Sequence, residues 1–276
     1  MKIHYLGTAA AEGVPAIFCT CETCRRARKL GGKSIRSRSQ ALIDGKLLID
    51  FPADTFYHSM RECIDLTHIH HIINTHPHED HLYPSELYNY MKGYAALPED
   101  HPKFHFWGGA EMKRMLTPYV ENPRMQGRVE LHRFEPFVPT DVDGYTITAL
   151  PAHHGTESPF IYMIEKEGKT LLYAHDTGDI KDEVWAYFNK VKPHFDIISF
   201  DCTRGSTTSE KLTGHMGFGD IKVIKEKLIA AQFSTQQTVY IVNHFSHNYP
   251  HVNYEDRTVY ENEGFLMSYD GLVVEV

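Results

Sequence analysis

Short apolar runs recur along the chain, and most of them end in a cluster of polar residues. Runs of this length that are rich in β-branched and aromatic residues predict strands buried on one or both faces. The segment QALIDGKLLIDF predicts a hairpin with Asp44-Gly45 as its two-residue turn. Further strands are predicted for the segments HHIINTH, YTITAL, TLLYAH, FDIISFD and TVYIVNH.

Two longer segments, PSELYNYMKGYAAL and FGDIKVIKEKLIAAQF, predict helices. In the second, apolar residues recur at helical spacing at Ile221, Ile224, Leu228 and Ala231. The strands are too many for one small sheet, and strands are mixed with helices in the second half. This pattern predicts an α/β sandwich of two sheets with helices outside. Without a repeat or a Pro/Ser-rich linker, residues 1–276 are interpreted as a single domain.

The composition, 42% hydrophobic and 23% charged with a net charge of −8, is ordinary for a soluble globular protein. The acidic balance argues against broad nucleic-acid binding, which needs a basic face. One stretch, residues 25–38, carries seven Lys or Arg and no acid. It is either a solvated surface loop or a cluster that balances thiolate charge or attracts an anionic substrate. No apolar run is long enough for a signal peptide or a membrane span, so a cytoplasmic location is expected.

The strongest chemical signal is the segment THPHEDH, which places three His and one Asp within six residues, directly after a predicted strand. Residues two apart on an extended segment point the same way, so His76 and His78 can hold one metal ion. Asp80 and His81 follow where the chain turns, and they can face a second ion. The competing interpretation is a polar surface loop, which this density of ligand-type residues disfavours.

The arrangement His76-x-His78-x-Asp80-His81 resembles the signature of the metallo-β-lactamase superfamily, whose fold is an αββα sandwich with the metal site at one edge. The resemblance implies three further ligands, in the order His, Asp, His.

Each of the three has a candidate at the end of a predicted strand. The segment LPAHHGT offers His153 and His154, of which His154 is chosen because it stands directly before Gly155. The other two candidates are Asp176 and His244.

By the resemblance, two divalent cations, Zn²⁺, Mn²⁺ or Fe²⁺, occupy the active site with a bridging hydroxide between them. Asp80 counts both as a ligand and as a catalytic residue. One cation is expected on His76, His78 and His154, the other on Asp80, His81 and His244, with Asp176 bridging the two.

Three of the five cysteines, Cys19, Cys21 and Cys24, lie in the segment CTCETC. His247 follows His244 by three residues and completes a Cys₃His set for one structural Zn²⁺. The competing interpretation is a group of free thiols or a redox switch. Within the superfamily, the CTCETC run after GVP and the late His resemble the PhnP-type phosphodiesterases of bacterial phosphonate breakdown, which act on phosphoribosyl cyclic phosphate. Residues 83–133 and 203–220 depart from that type, and substrate selection is expected there.

The expected reaction is hydrolysis of a small cyclic phosphodiester, in which the bridging hydroxide attacks phosphorus. His215 is the candidate general acid for the leaving alkoxide, with a helix-capping surface His as the competing interpretation. The alternatives are a tRNase Z-like nuclease, a lactonase, glyoxalase or β-lactamase, and a non-enzymatic metal-binding accessory protein or redox sensor. The expected partner is a small anionic phosphodiester, with no membrane and no nucleic acid; a homodimer stays open.

Overall fold

The structure is a computed structural model that describes residues 1–209 and 214–276. Within these residues, strands form two mixed sheets of seven strands each. Their bounds in chain order are β1 Lys2–Gly7, β2 Gln40–Ile43, β3 Leu47–Ile49, β4 His71–Ile73, β5 Phe104–Gly108, β6 Val129–Arg133, β7 Thr140–Val142, β8 Tyr145–Pro151, β9 Phe160–Lys166, β10 Lys169–Ala174, β11 Ile197–Asp201, β12 Val239–Asn243, β13 Leu266–Met267 and β14 Val273–Glu275.

The first sheet has the order β14-β1-β2-β3-β4-β5-β6, and the second has the order β13-β12-β11-β10-β9-β8-β7. Antiparallel hairpins make one half of each sheet, and parallel pairs make the other half. All five strands predicted from short apolar runs are present, as is the β2–β3 hairpin. Its turn differs from the prediction: Ile43 pairs with Leu47, so three residues rather than two connect the strands.

In the described part of the chain, six α-helices have the bounds α1 Glu22–Leu30, α2 Thr55–Arg61, α3 Ala110–Val120, α4 Asp182–Val191, α5 Phe218–Ala230 and α6 Thr258–Glu261. Helix α3 packs on the outer face of the first sheet, and α4, α5 and α6 pack on that of the second. Shorter 3₁₀ segments span Gly32–Ser34, Leu66–His68, Pro84–Tyr90, Pro123–Met125 and Tyr254–Asp256. One apolar core lies between the sheets, a second under α4, α5 and α6, and a third under α3. The predicted sandwich of two sheets with helices outside is therefore confirmed.

Of the two predicted helices, one is present as an α-helix and the other is not. Helix α5 is present and buries Ile221, Ile224 and Leu228, whereas Ala231 is its exposed C-terminal cap. The segment from Pro84 forms only a 3₁₀ helix that ends at Tyr90. Beyond it, Gly93 has a φ of +92° and turns the chain, and the Tyr, Asn and Gly residues of this segment are weak helix formers.

The strand directions bring several strand ends to one edge of the sandwich. β10, β11 and β12 are parallel neighbours, and β8 runs in the same direction because two antiparallel pairings, through β9, separate it from β10. The segments that follow β4, β8, β10 and β12 carry the ligand-type residues that the sequence singles out. Among the described residues, no helix is both long and apolar enough to cross a membrane.

Candidate metal centres

The segment that follows β4 turns sharply, and the turn separates the two pairs of ligand-type residues. The backbone N–H groups of His81 and Leu82 both donate to the carbonyl of His78, at 2.9 and 2.7 Å. His76 and His81 are buried, whereas His78 is exposed. The extended half of the segment therefore presents His76 and His78 together, and the turn carries His81 to a separate position.

Three imidazole rings form the first donor set. Nε2 of His76 and Nε2 of His154 lie 3.0 and 3.1 Å from Nδ1 of His78. His154 follows β8 and is the member of the His153–His154 pair that approaches the other two rings, whereas His153 is exposed. Burial, together with the neighbouring His81, holds the pKa of His76 well below its usual range. A neutral ring keeps the lone pair that a metal ligand needs.

Asp80, His81 and His244 form the second donor set. Nε2 of His81 lies 3.2 Å from Nε2 of His244 and 3.4 Å from Oδ2 of Asp80. Asp176 lies between the two sets. Its Oδ2 is 3.1 Å from Nε2 of His81 and 3.0 Å from Nε2 of His244, and its Oδ1 is 3.7 Å from Nε2 of His154. One carboxylate thus presents one oxygen to each set.

Asp176 also indicates that these residues fit divalent cations. Its Oδ2 is buried and has no hydrogen-bond partner among the described residues, although two ring nitrogens lie within 3.1 Å. A buried carboxylate oxygen without a hydrogen bond destabilises the folded state unless another group, such as a cation, contacts it. Imidazole and carboxylate donors suit Zn²⁺, Mn²⁺ and Fe²⁺. Asp176 and His244 have positive φ angles of 52° and 63°, a strained conformation that is typical of functional sites.

Asp50, which the sequence analysis did not single out, holds the His81 ring through Nδ1, the nitrogen opposite the donor atom Nε2. Its buried carboxylate accepts hydrogen bonds from Nδ1 of His81 at 2.7 Å, from the backbone N–H of Thr75 at 2.8 Å and from the side-chain amide of Asn74 at 3.0 Å. Burial disfavours the charge of His81, but Asp176, Asp80 and Asp50 outweigh it and hold the pKa of His81 well above its usual range. A carboxylate behind a ligating imidazole orients the ring and raises its basicity.

Asp201 plays the corresponding part at the other side of the site and was also missed. It accepts hydrogen bonds from the backbone N–H of Asp176 and of Thr203, each at 3.0 Å, and from Nδ1 of His215 at 3.0 Å. The signal for both missed residues was available, since Asp50 and Asp201 each end a buried apolar run at the edge where the ligands converge.

His215 lies on the wall of a cavity of about 460 Å³ that also contains residues of both donor sets. Its Nδ1 is 3.8 Å from Oδ1 of Asp176 and 3.1 Å from the hydroxyl of Thr203. Burial lowers the pKa of His215, but Asp201 outweighs this effect and raises it to about 9. Cations bound beside Asp176 would lower this pKa again. The stretch predicted to select substrate, residues 203–220, includes residues 210–213, which lie outside the described residues.

The cysteine cluster lies beside this site. His247 Nδ1 is 3.5 Å from Sγ of both Cys19 and Cys21, and all four donor atoms, with that of Cys24, fall within 4.8 Å of one another. Sulfur and nitrogen ligands of a tetrahedral Zn²⁺ lie about 3.6 Å apart for bond lengths of about 2.3 and 2.05 Å. The geometry therefore fits a Cys₃His zinc site. Cys21 is also the N-cap of α1, where its side chain accepts a hydrogen bond from the backbone N–H of Cys24.

The basic stretch 25–38 is largely engaged in contacts within the protein. Arg26 forms a two-point ion pair with Asp256, and Arg28 donates to the carbonyls of Cys19 and Ala16 at 2.7 and 2.8 Å. Arg36 is buried, and Arg38 pairs with Asp54. These residues tie the cysteine loop and α1 to the rest of the chain and do not form a free cationic surface.

Comparisons with known proteins agree with this fold. Residues 47–245 match the beta-lactamase superfamily domain. A diphosphatase from the PhnP family has a similar structure (TM-score 0.74, 24% identity, 100% of this chain and 97% of that chain covered). Zn²⁺-bound PqqB from Methylobacterium extorquens is also similar, with a TM-score of 0.73, 18% identity and 100% of both chains covered. The short form of human tRNase Z has a TM-score of 0.66 and 14% identity, with 100% of this chain and 99% of that chain covered. At these identities the structural neighbours show the fold alone, and a comparison with functionally curated proteins gave no match.

Proposed function

The chain belongs to the beta-lactamase superfamily, and on that premise we propose that this metal-dependent hydrolase is a phosphodiesterase that cleaves small, preferably cyclic, phosphodiesters. In this proposal, His76, His78 and His154 would hold one cation, Asp80, His81 and His244 would hold another, and Asp176 would contribute an oxygen to each set. When bound, such a pair polarises a phosphoryl oxygen and makes a water molecule acidic enough to act as a nucleophile near neutral pH.

The observation that carries the proposal is the position of His215. Its ring stands on the cavity wall next to Asp176, and Asp201 holds its Nδ1 at 3.0 Å. This contact leaves Nε2 as the nitrogen that can donate a proton into the cavity. A phosphodiester that leaves as a sugar alkoxide needs such a proton, because an alkoxide is a poor leaving group. Asp201 keeps the ring oriented, and Asp50 does the same for His81.

The volume of the cavity and the engaged arginines of the basic stretch favour a small substrate over a nucleic acid. A volume of about 460 Å³ is in the range of sites for small ligands. A polynucleotide would need a run of free cationic side chains, and three arginines of the basic stretch 25–38 are engaged by Asp54, Asp256 and backbone carbonyls. The PhnP-family neighbour is described as a diphosphatase, an enzyme that also acts at phosphorus, and this similarity supports phosphoryl chemistry.

The third proposed cation is a structural Zn²⁺ on Cys19, Cys21, Cys24 and His247. His244 and His247 lie three residues apart after β12, so one loop serves both the catalytic cavity and the cysteine cluster. The zinc would hold this loop against α1 and so help to place His244.

A substrate screen with Mn²⁺ and with Zn²⁺ tests the function. The panel contains a cyclic ribosyl phosphodiester, bis-p-nitrophenyl phosphate, a diphosphate ester, a lactone, a thioester and a precursor tRNA. We expect the cyclic phosphodiester to have the highest kcat/KM and the matched variant Asp176→Asn to be inactive on it. Turnover confined to the lactone or thioester, or to the tRNA, would replace the proposal by the corresponding alternative. If metal-loaded protein turned over none of these substrates, a non-enzymatic role would be favoured.

A further inference from the structure

A separate group of histidines lies on strands β4, β5 and β6, on the face of the first sheet that looks toward the second sheet. In the parallel register, His71 pairs with His105, His105 pairs with Glu130, and Trp107 pairs with His132. Paired residues, and residues two apart on one strand, share a face of the sheet. The sheet therefore collects three imidazoles, a carboxylate and an indole into one half-buried patch that has no part in the site described above.

Three donor atoms of this patch meet at the spacing that one metal ion requires. Nδ1 of His105 lies 2.9 Å from Nε2 of His132, and Oε2 of Glu130 lies 3.6 and 3.8 Å from these two nitrogens. Ligands at about 2.05 Å from a tetrahedral Zn²⁺ are separated by about 3.3 Å. The three separations bracket this value. The two longer ones exceed hydrogen-bond distance, so the carboxylate oxygen is near both rings without being bonded to either.

Stacking contacts hold both rings in place. The ring of His71 stacks on that of His105, with centroids 4.9 Å apart and planes 13° apart. The indole of Trp107 stacks on His132 at 4.0 Å and 16°. Lys103 forms an ion pair with the other oxygen of Glu130, Oε1, so that Oε2 is left on the side of the rings. Such supporting contacts reduce the ordering that a ligand set must undergo when it binds a metal.

We propose that His105, Glu130 and His132 form a further binding site for a divalent transition metal of the Zn²⁺ or Co²⁺ type. Two imidazoles and one carboxylate are a ligand set that such ions accept, with the fourth position open to water. The site joins β5 to β6, and β6 is the edge strand of the first sheet. A bound ion would therefore link the edge strand β6 to β5, and it would do so independently of the catalytic cations.

Trp107 offers a direct test, because the chain has only two tryptophans and one of them stacks on a proposed ligand. The Trp185→Phe protein retains Trp107 as its only indole. Titration with Co²⁺, whose unfilled d shell quenches a neighbouring fluorophore, should give saturable quenching, and Zn²⁺ should compete with it. In this background, Glu130→Gln or His105→Gln should weaken the apparent Co²⁺ affinity at least about tenfold, the lower end of what loss of a supporting group costs a metal site.

Two matched controls separate this site from the others. His68→Gln changes an exposed histidine outside the cluster and should leave the titration unchanged. Asp176→Asn removes the carboxylate shared by the catalytic sets and should leave it unchanged as well. The His105→Gln variant keeps the His132–Trp107 stack, so its unquenched emission reports whether the sheet is intact. Coincident titrations for the parent, Glu130→Gln and His105→Gln proteins would overturn the proposal, as would quenching that disappears in Asp176→Asn.

Thermal melting gives an independent readout. A ligand that binds only the folded state raises its stability. Added Zn²⁺ should therefore raise the Tm of Asp176→Asn protein by several degrees, and this increment should be lost when His105→Gln is added to the same background. An equal increment in both proteins would place the stabilising ion elsewhere and overturn the proposal.

Discussion

Asp50 belongs to neither donor set, yet its buried carboxylate accepts hydrogen bonds from His81, Thr75 and Asn74. We predict that Asp50→Asn weakens cation binding at the site by about 10- to 100-fold, because the substitution removes the charge that orients and polarises His81. Asn suits the test because Asp50 has a φ of +68°, a conformation that Asn adopts readily. Competition with a chelator dye measures the affinity. Asp141→Asn, at an exposed position, is the control, and equal affinities in the two variants would contradict the role given to Asp50.

His215 is the residue with the most specific catalytic assignment. We predict that His215→Ala slows hydrolysis of an alkyl or ribosyl phosphodiester about 10²- to 10⁴-fold and slows a p-nitrophenyl ester much less, because p-nitrophenolate leaves without a proton. Rates on both substrates and metal content are measured together. Equal slowing of both would instead indicate a role in binding phosphate. Since His215 lies within reach of Asp176 and His244, loss of a cation would mean that it is a ligand.

Sequence spacing was informative for the residues of the two donor sets and uninformative for the residues that support them. His76 and His78 are two apart on one strand extension, so local geometry alone predicts that they meet. Asp50 meets His81 only because β3 lies beside β4 in the sheet, a pairing that no local pattern of residues specifies. The same is true of Asp201 and His215, which come together through the end of β11 and the loop before α5.

At the level of elements, Cys21 allows the zinc and the helix cap to be separated. We predict that Cys21→Ser lowers the Tm, because structural zinc contributes directly to folding. Ser is itself a strong N-cap, so the start of α1 keeps its capping hydrogen bond while the metal loses a ligand. A loss of about 2 kcal/mol would lower the Tm of a chain of this size by roughly 4–8 °C. Cys63→Ser, at an exposed cysteine, is the control. A Cys21→Ser protein that melts like wild type with its zinc retained would exclude the Cys₃His site.

Elements with a strong period were predicted correctly, and those shaped by distant contacts were not. Helix α5 follows its apolar spacing, and the strands follow their apolar runs. The segment after Pro84 has apolar residues at plausible helical positions, but its course depends on long-range contacts. The guanidinium of Arg124 donates to the carbonyl of Lys92 at 2.9 Å, and Met91 is buried under α3. Tertiary contacts of this kind override a weak local preference.

For the whole molecule, the order of strands explains why so many ligands converge. β4 in one sheet and β8, β10, β11 and β12 in the other each end at the edge where the ligand-bearing segments begin, and the packed sheets bring those segments together. The sequence could predict two sheets and the ligands of each loop. It could not specify which strands are neighbours, because that order is set by packing of the complete chain. The family resemblance implied an αββα sandwich with the metal site at one edge, and the domain match over residues 47–245 supports that fold.

Metal removal tests the assembly as a whole, because its sites differ in exposure and donor type. We predict that purified protein carries two cations in the catalytic cavity and one Zn²⁺ on the cysteines, with further occupancy at His105 when zinc is in excess. Mild chelation should empty the open cavity and the half-exposed His105 site and abolish turnover. It should leave about one zinc per chain, because three thiolates and an imidazole enclose that ion on all four sides. Elemental analysis before and after chelation measures both pools, and added Mn²⁺ or Zn²⁺ should restore activity to the chelated protein.

In Cys21→Ser protein the same chelation should leave no zinc. If chelated wild-type protein retained no zinc, the cysteines would hold no structural ion. If it retained three metal ions, the cavity would be closed to solvent, contrary to the exposed position of His78.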